Sequence, residues 1–249
     1  MTLFWYDVSR EPSPTRPRRG GIDPANLNPG ALYMKYELVI FDLDGTLLNT
    51  LEDLATAADY ALTHAGFPTR SREDVRRFIG NGVARLIRRA VPEGTPEDVC
   101  ETVLADYRQY YSGHVNVHTR PYPGIVELLR AIKAAGTRVA VNSNKPDAAT
   151  RALCDAHFPG LIDLALGERA GTPKKPDPVG ARLLMDSLHI APARTLYVGD
   201  GEADLMTAQN AGIDCAWVSW GYRRAEELEG LSIPRAFDSA EALSDYILK

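Results

Sequence analysis

Leu38-Val39-Ile40-Phe41-Asp42-Leu43-Asp44-Gly45-Thr46-Leu47 is the stretch from which the fold can be read. A short continuous apolar run closed by a turn signal reads as a strand buried on both faces, the kind found in parallel sheets. Side chains two apart in extended chain share a face, so Asp42 and Asp44 project into one crevice beyond the strand's carboxyl end. Like charges that close need a proton or a cation, and a magnesium ion with oxygen ligands completes its shell with water and substrate phosphate. The pair therefore points to phosphoryl chemistry. A strand that simply ends in an Asp-Gly turn is the plainer alternative.

Working outward, the chain from Lys35 alternates short apolar runs with helical patterns, which predicts an α/β fold around a parallel sheet. Strands are expected at 37–41, 137–141, 162–166, 194–198 and 214–218. The connection between the first two is oversized. Leu51, Leu54, Ala55, Ala58, Leu62 and Ala65 recur at helical spacing, Gly66 is a stop and Ser71 caps a following helix. Further helices are expected at 82–91 and 96–112. This all-helical insert, residues 50–117, leaves directly beside the Asp pair, where a lid would exclude water from a phosphoryl site. The core is then 34–49 together with 118–249.

Residues 1–33 read differently. Pro12, Pro14, Pro17, Arg16, Arg18, Arg19, Gly20 and Gly21 crowd together without periodicity, and an unstructured extension is expected. A targeting segment stays open as a reading, as does Met34 as the first residue.

The 249 residues carry a net charge of -5, which offers no basic face for nucleic acid. No apolar stretch approaches the roughly 20 residues that a membrane helix needs. Cys100, Cys154 and Cys215 are widely spaced and form no CxxC pair, so neither a disulfide framework nor a zinc site is indicated and a cytoplasmic location is expected. A small molecule is the expected partner, bound by a monomer or homodimer.

Three further segments reach the same sheet edge if the strands are parallel. Thr137 to Val141 runs into Asn142, Ser143, Asn144 and Lys145 ahead of a helix near Pro146, an outline phosphate cradle; an ordinary helix cap by Ser143 or Asn144 is the alternative. Lys174 and Lys175 precede Pro176 in a segment stiffened by proline, although such a run is usually a solvated turn. Leu196, Tyr197 and Val198 open through Gly199, Asp200, Gly201 and Glu202 into a helix containing Asp204. Asp204 suits the helix dipole, whereas Asp200 falls beside the Asp42 pair.

In order and context these segments resemble the haloacid dehalogenase superfamily, across residues 36–222. The resemblance implies a Rossmann-like, doubly wound parallel sheet with an inserted helical cap. It implies that Asp42 attacks phosphorus and becomes an aspartyl phosphate while Asp44 serves as acid and then base. It assigns phosphoryl binding to Ser143 with Asn144 adjacent, charge compensation to Lys175, with Lys174 the weaker candidate, and Mg²⁺ binding to Asp42, Asp44 through its carbonyl, and Asp200, supported by Asp204. It places Thr46 and Asn144 among the substrate-binding residues, and Thr46 favours hydrolysis over phosphomutase chemistry.

Within the superfamily, DLDGTLLNT at 42–50, FIGNGVARLIRRA at 78–90, PYPG at 121–124 and WGYR at 220–223 are similar to the phosphoglycolate phosphatases. That similarity implies a substrate-binding loop of Gly80, Asn81 and Gly82 with Arg85 nearby; a glycine turn before a helix explains the glycines equally well. Gly201, where Ser is frequent, and Asn142-Ser143, in place of a Val-Thr type pair, depart from the common pattern. The expected activity is magnesium-dependent hydrolysis of a small phosphomonoester such as 2-phosphoglycolate. Pyrophosphate, sugar phosphates and nucleotides are alternative substrates, a phosphomutase is the nearest rival, and a non-catalytic phosphate-binding protein is the rival from another class.

Overall fold

The computed structural model describes residues 34–249; the expected unstructured extension over 1–33 lies outside the described residues. The chain opens with β1 (Leu38–Phe41) and β2 (Leu48–Asn49), continues through α1 (Leu51–His64), α2 (Arg72–Phe78), α3 (Val83–Ala90) and α4 (Glu97–Gly113), and returns at β3 (Arg120–Pro121). It then alternates α5 (Ile125–Ala134), β4 (Arg138–Pro146), α6 (Asp147–His157), β5 (Leu164–Glu168), α7 (Val179–Leu188), β6 (Thr195–Gly199), α8 (Glu202–Ala211) and β7 (Asp214–Val218). β8 (Ala236–Phe237) and α9 (Ala240–Leu248) finish it.

Among the described residues the main sheet has six strands in the order β5-β4-β1-β6-β7-β8, all parallel. β1 is central, and its residues alternate between two apolar layers. Val39 and Phe41 pack with Ile125, Leu129, Leu153 and Leu243 on one face. Leu38 and Ile40 pack with Ala181, Leu184, Leu205 and Ala208 on the other. A strand covered on both sides must be apolar throughout, and all four of its residues are fully buried.

Helices α1 to α4 bury a separate apolar cluster, built on Leu54, Ala58, Leu62, Ile87, Val103 and Tyr107. The α1 alanines leave little side-chain bulk, which lets the helices pack closely. Gly66 ends α1 in the left-handed conformation, φ 75°, with Phe67 N–H donating to Leu62 O and Gly66 N–H to Thr63 O. Ser71 caps α2 in a reciprocal box with Asp74. The chain leaves and re-enters through the antiparallel β2–β3 pair. Buried Asp53 clamps that return by accepting backbone N–H bonds from Val117, His118 and Thr119.

Besides a start of β1 one residue later than expected, three strand expectations shift. The strand expected at 137–141 extends to Pro146, because Asn142 and Pro146 still pair with β5 across an irregular register. The strand expected from Ile162 starts at Leu164, since the Asp163 carboxylate instead accepts from Val139 N–H, Lys133 and Arg138. The strand expected at 194–198 sits one residue later, at 195–199.

Candidate active site

The main-sheet strands run parallel, and the residues that follow β1 and β6 meet the last residues of β4 in one crevice. Asp42 follows β1, its N–H held by Val198 O at 2.9 Å. Beyond it, Gly45 takes φ +87°, and a Cβ at that position would lie 2.6 Å from Asp200 Oδ2. Only glycine allows the turn that keeps Asp44 and Asp200 around one space.

Asp42, Asp200 and Asp204 are buried, and one carboxylate oxygen from each lies within 4.8 Å of the other two. Lys175 Nζ stands 2.7 Å from Asp42 Oδ1 and 2.7 Å from Asp204 Oδ1. Burial, opposed by Lys175 and reinforced by Asp204 and Asp200, pushes the Asp42 carboxyl well above the usual carboxylate range. Burial and the neighbouring Asp204 push Asp200 up to about 6, against the Tyr222 N–H bond and the charges of Arg223 and Lys175. Burial alone would lower the Lys175 ammonium, but Asp204 and Asp42 hold it well above its ordinary value. The site is thus short of positive charge and rich in hard oxygen donors, which fits a magnesium ion. Asp204 is largely committed, one oxygen to Lys175 and the other to Gly201 N–H at 3.0 Å. Asp42, engaged only through Oδ1 by Leu43 N–H and Lys175, is left as the better-placed carboxylate ligand.

Asp200 is held from three directions. Tyr222 N–H donates to Oδ2 at 2.6 Å, Thr46 Oγ1 to Oδ1 at 3.3 Å, and Trp217 Nε1 to its carbonyl at 2.8 Å. Gly221 packs so tightly that an added Cβ would collide with the Asp200 side chain and Gly45 O. Asp44 lies in a different environment. Its carboxylate accepts from Thr50 Oγ1 at 2.7 Å and from Lys145 Nζ at 2.9 and 3.1 Å.

Asp42, Asp44, Ser143, Asn144, Lys175, Asp200, Asp204, Asn81 and Gly82 all line one cavity of about 60 Å³. Ser143 accepts Lys145 N–H at 3.2 Å, which leaves its hydroxyl hydrogen available, and α6 is capped without either Ser143 or Asn144. Four residues singled out from sequence are placed differently from that expectation. Thr46 is wholly buried behind Asp200 rather than facing the cavity. Asn144 reaches the cavity wall, but its amide is spent on backbone: Oδ1 accepts Lys175 N–H at 2.9 Å, and Nδ2 donates to Lys175 O and Gly80 O at 3.1 Å. Arg85 is exposed on α3 and does not line the cavity, because Val83, Leu86, Ile87 and Ala90 take the inward face. Lys174, 2.6 Å from Glu168 Oε1, is absent from the cavity wall.

Lys145, Tyr111, Tyr222 and Arg223 also line the wall, and the sequence reading gave none of them a role in the site. Lys145 lies two residues after Ser143, a spacing that could have flagged it. Tyr111 continues the inward stripe Cys100, Val103, Leu104 and Tyr107 of α4. Tyr222 and Arg223 follow β7, and Arg223 donates to Arg76 O at 3.1 Å and to Ile79 O, tying the Gly80 loop to the sheet side.

Residues 39–218 match the family of haloacid dehalogenase-like hydrolases. The chain is 36% identical over 212 residues to a phosphoglycolate phosphatase of Thiobacillus denitrificans, covering 82% of this chain and 92% of that protein. It is 34% identical over 221 residues to a phosphoglycolate phosphatase of Vibrio parahaemolyticus, covering 85% and 96%. Among solved structures, a predicted phosphoglycolate phosphatase from Haemophilus somnus superposes with a TM-score of 0.80 at 29% identity, covering 86% of this chain and 99% of that one. CbbY from Rhodobacter sphaeroides, solved in complex with phosphate, superposes with a TM-score of 0.66 at 27% identity, covering 84% and 96%.

Proposed function

The chain belongs to the haloacid dehalogenase-like hydrolases, and on that premise we propose that it is a magnesium-dependent phosphomonoesterase working through an aspartyl phosphate on Asp42, with 2-phosphoglycolate as its foremost substrate. The observation that carries this reading is the meeting of Asp42, Asp44, Ser143, Lys175 and Asp200 on one cavity wall. The names of the relatives support the substrate.

In this reading Asp42 is the nucleophile, and the acyl phosphate it forms as the leaving oxygen departs divides hydrolysis into two smaller barriers. Lys175 and the Ser143 hydroxyl orient the phosphoryl oxygens and balance their charge. Asp44 donates a proton to the leaving oxygen and then takes one from the attacking water. Asp42, Asp200 and the Asp44 carbonyl would hold the magnesium ion, whose charge offsets repulsion between carboxylate and phosphate. Thr46 and Tyr222 position Asp200. Residues 50–117 serve as a cap over the core formed by 34–49 and 118–249, and Gly80, Asn81 and Gly82 close the cavity from the cap side. The three cysteines, all free and buried, fit a reducing cytoplasm.

Phosphate release from 2-phosphoglycolate, pyrophosphate, hexose phosphates and nucleotides, with Mg²⁺ and with EDTA, tests the proposal. The expected result is a Mg²⁺-dependent kcat/KM highest for 2-phosphoglycolate and turnover abolished in Asp42→Asn. Undiminished activity in that variant would sink the mechanism, and a different leading substrate would move the specificity.

A further inference from the structure

Three cations line the cavity, and two are committed. Lys175 faces Asp42 and Asp204, while Arg223 spends its guanidinium on the carbonyls of Arg76 and Ile79. The third, Lys145, has a side chain only 1% exposed, and its ammonium contacts the carboxylate of Asp44. That ammonium also lies 5.0 Å from the ring centroid of Tyr111. Tyr111 is 4% exposed, and its hydroxyl has no hydrogen-bond partner although it belongs to the cavity wall. A buried hydroxyl left unpaired costs stability, so its retention beside a buried cation needs an explanation.

We propose that Lys145 and the Tyr111 hydroxyl form a subsite for a second anionic group on the substrate, the carboxylate carried by the leaving group. The inference rests on the phosphatase reading and assigns the residues that set its specificity. If Asp44 delivers its proton to the ester oxygen, the atoms bonded just beyond that oxygen come next to whatever surrounds Asp44, and Lys145 is its cationic neighbour. A carboxylate on the leaving group falls within reach of that buried ammonium and accepts from the unpaired Tyr111 hydroxyl as well. An ammonium has three donors, enough to hold Asp44 and a substrate oxygen together. Substrates lacking the second charge leave the Tyr111 hydroxyl unpaired, so the subsite discriminates against them.

The test compares 2-phosphoglycolate with ethyl phosphate, which has the same reacting bond and no carboxylate, in the full chain with Mg²⁺. The readout is the ratio of the two kcat/KM values, in which effects on Asp44 common to both substrates and differences in leaving-group chemistry cancel between variants. The wild type is expected to favour 2-phosphoglycolate by about 100-fold or more, as a polar subsite does against an analogue lacking its partner. Lys145→Met is expected to lower that ratio by about 30-fold or more and Tyr111→Phe by about 3- to 10-fold, with Lys145→Arg retaining part of it. Tyr111→Phe removes only an unpaired oxygen, so it decides the matter if Lys145→Met does not fold. Ratios unchanged in both variants, with the two substrates slowed alike, would overturn the inference and reduce Lys145 to a partner of Asp44. A wild type that hydrolyses both equally overturns it too while leaving the phosphatase reading intact; one that hydrolyses neither overturns the phosphatase reading itself.

Discussion

Lys175 and Asp42 meet at 2.7 Å although they lie on separate strand-to-helix connections, and the same ammonium reaches Asp204 at 2.7 Å. One buried cation therefore faces a group of three buried carboxylates. Replacing Lys175 by Met leaves that negative charge uncompensated, which costs about 3–5 kcal/mol when one partner of a buried network is removed. The expected outcome is a large loss of stability in EDTA, partly recovered by Mg²⁺, together with loss of turnover. Urea unfolding of wild type and variant in the two buffers measures it. Equal stability in EDTA would show that the carboxylates do not depend on Lys175.

Much of this arrangement was legible before any coordinates. Apolar runs mark the strands because a strand covered on both faces tolerates nothing else, and residues at carboxyl ends of parallel strands converge by topology, as Asp42, Ser143 and Asp200 do. What stayed hidden depends on side-chain direction. Arg85 follows the same loop as Asn81 and Gly82, yet the phase of α3 turns it outward. Asn144 is adjacent to Ser143, yet its amide is consumed by backbone groups that come close only in the folded chain. Lys145 and Tyr111 lie 34 residues apart by number and share the cavity wall because β4 and α4 approach there, a juxtaposition that no local pattern encodes. β2, β3 and β8 are two residues each, too short to show a period.

Gly221→Ala is expected to act on Asp200. The added methyl would collide with the Asp200 side chain and with Gly45 O, so either the 220–222 backbone or the carboxylate must move. Because Asp200 is a proposed magnesium ligand, the prediction is a raised Mg²⁺ requirement and a kcat lowered by about 10- to 100-fold, in the range for a disturbed metal site. A Mg²⁺ titration of activity checks it, and wild-type metal dependence would speak against the role of Asp200.

Acid sensitivity should be traceable to Glu227. Arg76, buried on α2, grips both Glu227 oxygens at 2.7 and 2.9 Å and holds that carboxyl at about 2, below its ordinary 4.5. A carboxyl with a lowered folded-state pKa stabilises the fold above its unfolded value and loses that contribution as pH falls towards the folded one. The pair is therefore fully effective above about pH 4.5 and lost on the way to about pH 2. Glu227→Gln is expected to cost about 1–2 kcal/mol near neutrality, allowing for solvent screening, with the difference from wild type shrinking below pH 4.5. Urea midpoints across pH 3–7 measure it, and a constant difference would exclude the linkage.

Two tyrosines should respond oppositely to loss of their hydroxyls. Tyr107 is fully buried with an unpaired hydroxyl, so Tyr107→Phe is expected to be neutral or to stabilise by up to about 1 kcal/mol. Tyr222 accepts from Thr50 N–H at 2.8 Å and shares a hydrogen bond with Thr50 Oγ1 at 3.0 Å. Tyr222→Phe orphans a buried amide and should cost about 1–3 kcal/mol. Thermal unfolding of the two variants separates them, and equal effects would mean that these hydroxyls play no part in the balance.

Asn144 has a wider consequence. Its amide holds the Lys175 backbone on one side and the Gly80 carbonyl on the other, so a single side chain serves as the common reference point for the ammonium proposed to meet the phosphate and the loop proposed to shut the cavity. Retreat of the loop strips one of those bonds from the residue that also sets the lysine in place. On the proposed roles, the position of the loop and the position of the lysine are thereby referred to one side chain.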